Sequence, residues 1–303
     1  MRFSTDFPLG SASAHRWLDP AGVTDFARCL EAAGFAGLGF TDHPAPSGKW
    51  LDHGGHETFD PFAALAFCAA ATTQIRLLTN LLVVPYRNPL VQARSMMTVD
   101  VLSGGRAIFV LGTGYLRSEF AAVGVEFERR NELFDESIEV ITAYFSGEDL
   151  VHDGPSFTAH GQRLRPLPVQ RPYPPLWLGG NSRVARDRLA RWGQGWSVLM
   201  ASPEMAKTSR TPAITTVEEL AVALDDVAER ALAAGRSIDD IEVMTASPVI
   251  GVGTGASVER QLEELGRLAE IGVSWVQVHI PPGAKQETLD GITEFGESVV
   301  SAS

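Results

Sequence analysis

The feature that most constrains the fold is an alternation along the chain between short apolar runs and longer amphipathic segments. Short runs rich in β-branched and aromatic residues predict strands, whereas apolar residues spaced three or four apart predict helices. Because a helical segment separates each pair of successive strands, we expect parallel strands joined by helical crossovers. The predicted strands are residues 2–7, 37–40, 75–84, 107–111, 176–178, 196–199, 241–246 and 275–280.

The helical segments complete eight strand–helix units. They span residues 20–33, 61–72, 89–102, 129–145, 182–192, 217–234, 258–271 and 286–300. Eight such units predict an α/β fold, a (β/α)8 TIM barrel, as a single domain over residues 1–303. A doubly wound open sheet is the rival, but it normally carries a glycine-rich phosphate turn directly after its first strand, and residues 6–10 are not such a turn.

Two segments depart from the repeating unit. Between residues 146 and 175 prolines are frequent, which predicts an insertion of loops, with room for a hairpin, between the fourth and fifth βα units. Residues 202–216 are polar and loop-like, and we expect a mobile lid there.

Charge and composition exclude several classes of protein. The chain has 37 acidic and 25 basic residues, a net charge of −12, which opposes binding to nucleic acid or to an anionic membrane. Its longest apolar stretch is far shorter than the roughly 20 residues of a membrane helix, and its amino terminus lacks the pattern of a secretion signal. The only two cysteines, Cys29 and Cys68, lie in helix-like patterns. We therefore expect a cytoplasmic protein without disulfides.

Candidate reactive residues follow the predicted strands, because the carboxyl ends of barrel strands carry the reacting groups. Asp42 and His43 follow the second strand and could hold a proton near neutral pH, or could form a turn network. Within the third strand, Thr79, Asn80 and Leu81 interrupt an apolar run. They indicate a bulge, either with a buried hydrogen bond or as a surface for a flat ligand.

Glycine-rich turns follow the fourth and fifth strands. Thr113 and Gly114 would let a ligand approach the backbone closely. The segment Gly179-Gly180-Asn181-Ser182 opens a helix and predicts either an anion site at the helix N-terminus or an ordinary capped turn.

A loop after the second strand contains Trp50, His53, His56 and Glu57. Imidazole and carboxylate groups are metal ligands, which leaves a metal-dependent hydrolase barrel as an alternative. Such barrels usually place paired histidines on the first strand, and none occurs there. We therefore expect no metal and a loop that faces substrate or solvent.

Five segments together resemble the luciferase-like monooxygenase superfamily, and in particular its branch that depends on the deazaflavin coenzyme F420. They are Asp42-His43-Pro44, Pro85-Tyr86-Arg87-Asn88-Pro89, Leu102-Ser103-Gly104-Gly105-Arg106, Leu111-Gly112-Thr113-Gly114-Tyr115 and Trp177-Leu178-Gly179-Gly180-Asn181-Ser182. The resemblance covers nearly the whole chain.

The resemblance implies a barrel that binds a flavin or deazaflavin at its carboxyl-end mouth. It implies a non-proline cis peptide at Asn80–Leu81, where Asn80 replaces the usual glycine, in a segment with Thr79 that supports the ring. The remaining implied positions are Asp42 and His43 beside the ring, Thr113 and Gly114 near the ring or ribityl chain, Gly179 to Ser182 at the phosphate, and Trp50, His53 and His56 on the substrate side.

The function implied is hydride transfer between F420 and a small organic substrate, with His43 favoured over Asp42 as acid or base. An FMN-dependent, oxygen-using monooxygenase on the same fold is the alternative, and a non-catalytic flavin-binding protein is another. The resemblance also implies a homodimer.

Overall fold

The computed structural model describes residues 1–9, 19–281 and 283–303. The strands are β1 (Arg2–Asp6), β2 (Gly37–Phe40), β3 (Arg76–Val83), β4 (Ala107–Gly112), β5 (Leu150–Asp153), β6 (Thr158–Gln162), β7 (Leu176–Gly179), β8 (Gly195–Ser197), β9 (Glu242–Gly251) and β10 (Trp275–His279). The helices are α1 (Pro20–Ala32), α2 (Gly48–Asp52), α3 (Pro61–Ala71), α4 (Pro89–Leu102), α5 (Arg117–Ala122), α6 (Arg130–Phe145), α7 (Arg183–Trp192), α8 (Pro203–Thr208), α9 (Val217–Ala233), α10 (Val258–Glu270) and α11 (Lys285–Ser298).

Eight of these strands close into a barrel in the order β1-β2-β3-β4-β7-β8-β9-β10, with β10 pairing back onto β1. Every neighbouring pair in the barrel is parallel. The predicted TIM barrel is therefore confirmed, and the doubly wound open sheet is wrong. Closure brings the carboxyl ends of all eight strands to one mouth.

Capping residues fix where the helices begin, and thereby how the chain leaves the strands. Asp19 accepts a hydrogen bond from the Gly22 amide at 2.6 Å, and Asp60 accepts one from the Ala63 amide at 2.9 Å. In both cases proline follows as the first helical residue, where its missing N–H costs nothing.

Large side chains fill the barrel interior beneath the mouth. A buried cluster joins residues of five barrel strands: Leu78, Ile108, Val110, Trp177, Met244 and Trp275. The rings of Trp177 and Trp275 meet edge to face with centroids 5.3 Å apart. A Cβ at Gly195 would lie 2.5 Å from the Trp177 ring, so only glycine leaves room for this packing. The barrel is thus a packed core, with open space left at its carboxyl end.

Three short helices and one strand extension differ from the prediction. Residues 202–216 are not wholly a loop, because α8 occupies part of them and Ser202 caps it by accepting from the Met205 amide. The helix α2 also lies in a segment predicted as a loop, and α5 lies in a segment for which the sequence predicted no element. Strand β9 continues five residues beyond the predicted end at residue 246, to Gly251.

Between α6 and β7 the strands β5 and β6 form a separate two-stranded antiparallel sheet. Among the described residues, no helix is long and apolar enough to cross a membrane.

Candidate active site

A cavity of about 340 Å³ opens at the barrel mouth. Ten of the residues singled out from the sequence line it: Asp42, His43, His56, Asn80, Leu81, Thr113, Gly114, Gly179, Gly180 and Ser182. They come from the ends of β2, β3, β4 and β7 and from the loops that follow. The volume lies in the range of cavities that hold a drug-sized ligand.

The bulge in β3 forms one wall of this cavity. The pairing of β3 with β4 shifts between Thr79 and Leu82, and the Asn80–Leu81 peptide bond is cis, as the resemblance implied. The Leu81 side chain packs over β4 and β7, where a Cβ at Gly112 or Gly179 would lie 2.5 Å from it. Small residues at those two positions therefore let Leu81 lie along the cavity wall.

Thr79 lies outside the cavity. Its side chain is fully buried, and its hydroxyl donates to the Val110 carbonyl at 3.0 Å. This bond ties β3 to β4 beside the bulge, so Thr79 is placed to support the wall and not to touch a ligand.

A buried hydrogen-bond network orients His43. Its Nδ1 lies 3.0 Å from Oε2 of Glu119, a fully buried residue of α5. The same carboxylate accepts from the Ala45 amide at 3.0 Å and from the Tyr86 hydroxyl at 2.9 Å. Because a carboxylate only accepts, Nδ1 carries a proton, and Nε2 is the nitrogen free to exchange one.

The network also sets the charge of Glu119. Burial acts to raise the pKa of its carboxyl, but the hydrogen bonds from His43, Ala45 and Tyr86 together lower it below the ordinary value. Burial and the neighbouring Glu119 charge both raise the pKa of Tyr86, which keeps its hydroxyl a donor. Glu119 is therefore an anion, and it accepts the hydrogen bond from Nδ1 of His43.

Aromatic rings surround His43. The rings of Trp50, His56 and Tyr115 have centroids 4.5, 5.1 and 6.2 Å from its own. Burial and the charge of His43 lower the pKa of His56 to about 4. At neutral pH His56 is thus uncharged, with Nε2 placed 3.0 Å from the Thr41 hydroxyl.

His53 lies away from this group. It is exposed at the end of α2, and its Nδ1 lies 2.7 Å from the Lys49 carbonyl oxygen. The loop that the sequence singled out thus brings Trp50 and His56 to His43, but not His53.

Asp42 has its carboxylate fully occupied. Arg87 donates to its two oxygens at 2.7 and 2.8 Å, and the Val83 amide donates to Oδ2 at 3.0 Å. Only 2% of Asp42 is exposed. The residue therefore joins the end of β2 to the end of β3, and its carboxylate is held in a bidentate ion pair.

The opposite end of the cavity is the turn between β7 and α7. Gly180 has a φ of +98°, and Ser182 caps α7 by accepting from the Ala185 amide at 3.2 Å. The Gly180 amide donates to the Ser197 carbonyl, and the Asn181 amide donates to the Thr211 hydroxyl. Because these two backbone amides already have partners, the groups that could bind an anion here are the Ser182 hydroxyl and the amides in the first turn of α7.

The Asn181 side chain forms hydrogen bonds only within the protein. Its side-chain amide donates to the carbonyls of Leu199 and Pro212, and its Oδ1 accepts from the Leu199 amide. With 2% of its surface exposed, Asn181 does not line the cavity. It holds the chain after β8 against the turn.

Asp6 belongs to the mouth and was missed from the sequence. Its carboxylate accepts from the Asn80 side-chain amide at 3.1 and 3.2 Å and from that of Gln277 at 2.7 Å. It borders a second hollow of about 420 Å³ that shares Thr41, His56 and Gln277 with the main cavity. Burial raises the pKa of Asp6 to about 7, against the effect of the two amides. Its position at the end of the first strand was the available signal.

No group of three or more His, Cys, Asp and Glu residues is arranged to hold a metal ion in the part of the chain that the structure describes.

The chain is similar to known proteins both in sequence and in fold. A family model described as luciferase-like monooxygenase matches residues 3–277. An FMNH(2)-dependent dimethylsulfone monooxygenase of Pseudomonas putida is 26% identical over 172 residues, which are 56% of this chain and 43% of that protein. The match thus spans less than half of that curated relative.

Two solved structures share the fold across the whole chain. A long-chain alkane monooxygenase superposes with a TM-score of 0.81 at 17% identity, covering 100% of this chain and 90% of the other. The coenzyme F420-dependent tetrahydromethanopterin reductase of Methanopyrus kandleri superposes with a TM-score of 0.74 at 18% identity, covering 99% of both chains. At such identities the likeness concerns the fold alone.

Proposed function

The chain belongs to the luciferase-like monooxygenase family, and from that premise we propose that its barrel mouth binds the deazaflavin F420 and transfers hydride between it and a small organic substrate. The family makes the protein a luciferase-like oxidoreductase or monooxygenase. The choice of F420 rests on the five sequence segments that resemble the F420-dependent branch.

One observation carries the proposal: a single cavity joins an ionisable, fixed histidine at one end to a helix N-terminus at the other. His43 and Ser182 both line it, with Leu81 and Thr113 between them. A phosphorylated tricyclic cofactor needs this combination, because its tail is anionic and its ring is flat and largely apolar. Arg188, 6% exposed and also at the cavity, supplies no free charge there, because its guanidinium is held in a bidentate ion pair with Asp135.

The chain's own residues would transfer a proton to or from the substrate and would hold the substrate and the cofactor in position. A bound deazaflavin would supply a ring carbon that accepts or donates hydride. His43 would take up or release the substrate's proton at Nε2, while Glu119 holds Nδ1 and stabilises the imidazolium. Leu81 would support the ring from the wall, and Trp50 and His56 would shape the space beside His43.

An FMN-dependent monooxygenase is the second candidate. The similarity to an FMNH(2)-dependent dimethylsulfone monooxygenase favours it. The same cavity would hold FMN by the same groups, so the two candidates differ in cofactor and not in site.

Titration of the purified protein with oxidised F420 and with FMN separates the candidates. We expect saturable binding of F420 with a dissociation constant at least about tenfold below that of FMN. Tighter binding of FMN would favour the monooxygenase, and binding of neither would contradict both. Bound F420 that no small alcohol or carbonyl compound can reduce or oxidise would favour a non-catalytic flavin-binding protein.

A further inference from the structure

Three arginines surround the buried ring of Phe127 beside the mouth. The guanidinium carbons of Arg117, Arg130 and Arg210 lie 4.2, 4.0 and 5.3 Å from the centroid of the Phe127 ring. They come from the start of α5, the start of α6 and the chain after α8. Cation–π contacts make each pairing favourable, but the three positive charges repel one another.

The positive charge of this cluster is not balanced within the protein. Glu128 lies 2.5 Å from Arg117 and 3.9 Å from Arg130, and it is itself 63% exposed. Arg210 forms no ion pair with any residue in the described ranges, and its Nε donates to the Tyr115 carbonyl at 3.3 Å. Burial and the charges of Arg210 and Arg117 lower the pKa of Arg130 against the effect of Glu128. The cluster thus keeps about two uncompensated positive charges on a chain of net charge −12.

The cluster adjoins the anion end of the cavity. Arg210 lines the cavity together with Ser182 and Arg188. Its backbone has a φ of +54°, in the left-handed region that a non-glycine residue seldom adopts. Such a conformation has an energetic cost, and it is typical of residues held in place at ligand sites. A ligand bound by its phosphate at Ser182 would therefore reach these arginines by extending outward.

We propose that Arg117, Arg130 and Arg210 form a site for a carboxylate-bearing extension of the cofactor beyond its phosphate. This inference rests on the proposed function, because F420 continues past its phosphate into a chain of glutamate residues whereas FMN ends there. The guanidinium groups pair with carboxylates in fork geometry, and the surface position leaves room for tails of different length. The same three residues would thus favour F420 over FMN.

The test compares dissociation constants for three probes: F420 with about five glutamates, the same deazaflavin phosphodiester without glutamate, and FMN. We expect the tailed form to bind wild-type protein about three to ten times more tightly than the tail-less form at low salt. Because exposed charges are screened, the difference should largely disappear at about 0.5 M salt.

Variants locate the effect. Arg117→Ala/Arg130→Ala should reduce the difference to less than about twofold, whereas Arg117→Lys/Arg130→Lys, which keeps the charge, should retain most of it. Arg191→Ala/Arg267→Ala is the matched control, since these two exposed arginines also pair with glutamates but lie away from the cavity. Thermal unfolding of each variant shows that it is folded.

Each outcome is decisive. Equal binding of tailed and tail-less forms by the wild-type protein would overturn the inference and leave the proposed function intact. A difference that the control pair removes as well as the Arg117/Arg130 pair would also overturn it. Failure of both deazaflavins to bind, with or without binding of FMN, would overturn the F420 proposal and this inference together.

Discussion

The two ends of the cavity hold their polar groups in different ways. At the histidine end, Asp42 and Glu119 are almost completely buried, and every carboxylate is bound by several donors. At the end beside α7, the Ser182 hydroxyl and the Arg210 guanidinium are at least partly accessible and have few partners. The contrast suggests that one end is preorganised for proton transfer, whereas the other completes its hydrogen bonds only with a ligand.

The largest expected effect comes from removing the imidazole. His43→Ala should lower the single-turnover rate of hydride transfer by about 10²- to 10⁴-fold, the usual contribution of general acid–base catalysis. The rate is measured with whichever small alcohol or carbonyl compound gives turnover. His160→Ala, on the exposed β6, is the control. An unchanged rate in His43→Ala would remove the role assigned to this residue.

Glu119→Gln tests whether the buried network tunes the histidine. The variant keeps the shape but loses the charge, so we expect a rate lowered by about 10²-fold and a pH profile shifted to lower pH. Nitrogen NMR of His43 should show a mixture of the two imidazole tautomers. Glu132→Gln removes an exposed glutamate that pairs with Arg129, and it should change neither the rate and its pH profile nor the NMR spectrum of His43. If Glu119→Gln lowers the rate without moving the pH profile or the tautomer, its role is structural only.

Asp6 gives a prediction about stability and pH. Its folded-state pKa is raised to about 7 from the ordinary 3.8. Its stabilising contribution is therefore fully present below about pH 4 and is lost as the pH rises through 7. Asp6→Asn can still accept from Asn80 and Gln277 but does not ionise. We expect the wild type to lose about 4 kcal/mol between pH 4 and 8 relative to this variant.

Urea unfolding at several pH values measures the difference. His56, whose pKa is lowered to about 4, contributes a stability that rises with pH in the same range, but it is present in both proteins and cancels. Parallel pH profiles for wild type and Asp6→Asn would contradict the raised pKa.

Ser182→Ala probes the phosphate end and has the smallest expected effect. Loss of one hydroxyl should weaken F420 binding about tenfold, by roughly 1.4 kcal/mol. Ser257→Ala, which removes the same kind of cap from α10, should cost about as much helix stability without changing cofactor affinity. Equal affinities of Ser182→Ala and wild type would place the phosphate elsewhere.

Local sequence patterns were sufficient to predict the barrel, but they did not predict the extension of β9 or the short helix α2. The predicted strand ends at residue 246, yet β9 continues through Pro248 beside an irregularity in its pairing with β10. Proline is tolerated there because a bulge needs fewer ladder hydrogen bonds. The five-residue helix α2 is too short to show a period, and its cap at Ser47 was the only signal.

The site was predictable where its residues follow strands. His43, Asn80 and Ser182 could be placed together from the sequence because strand ends meet at one mouth, and all three line the cavity. Their partners could not, since Glu119 lies 76 residues from His43 and Arg87 lies 45 residues from Asp42. Nothing local marks these pairs, and only barrel closure brings them together.

A crystal structure of the protein loaded with F420 tests the central claim most directly. We expect the phosphate within hydrogen-bonding distance, about 2.7–3.2 Å, of the Ser182 hydroxyl, and the ring against Leu81 with His43 Nε2 beside it. A ring at the Ser182 end, or a ligand bound outside this cavity, would contradict it.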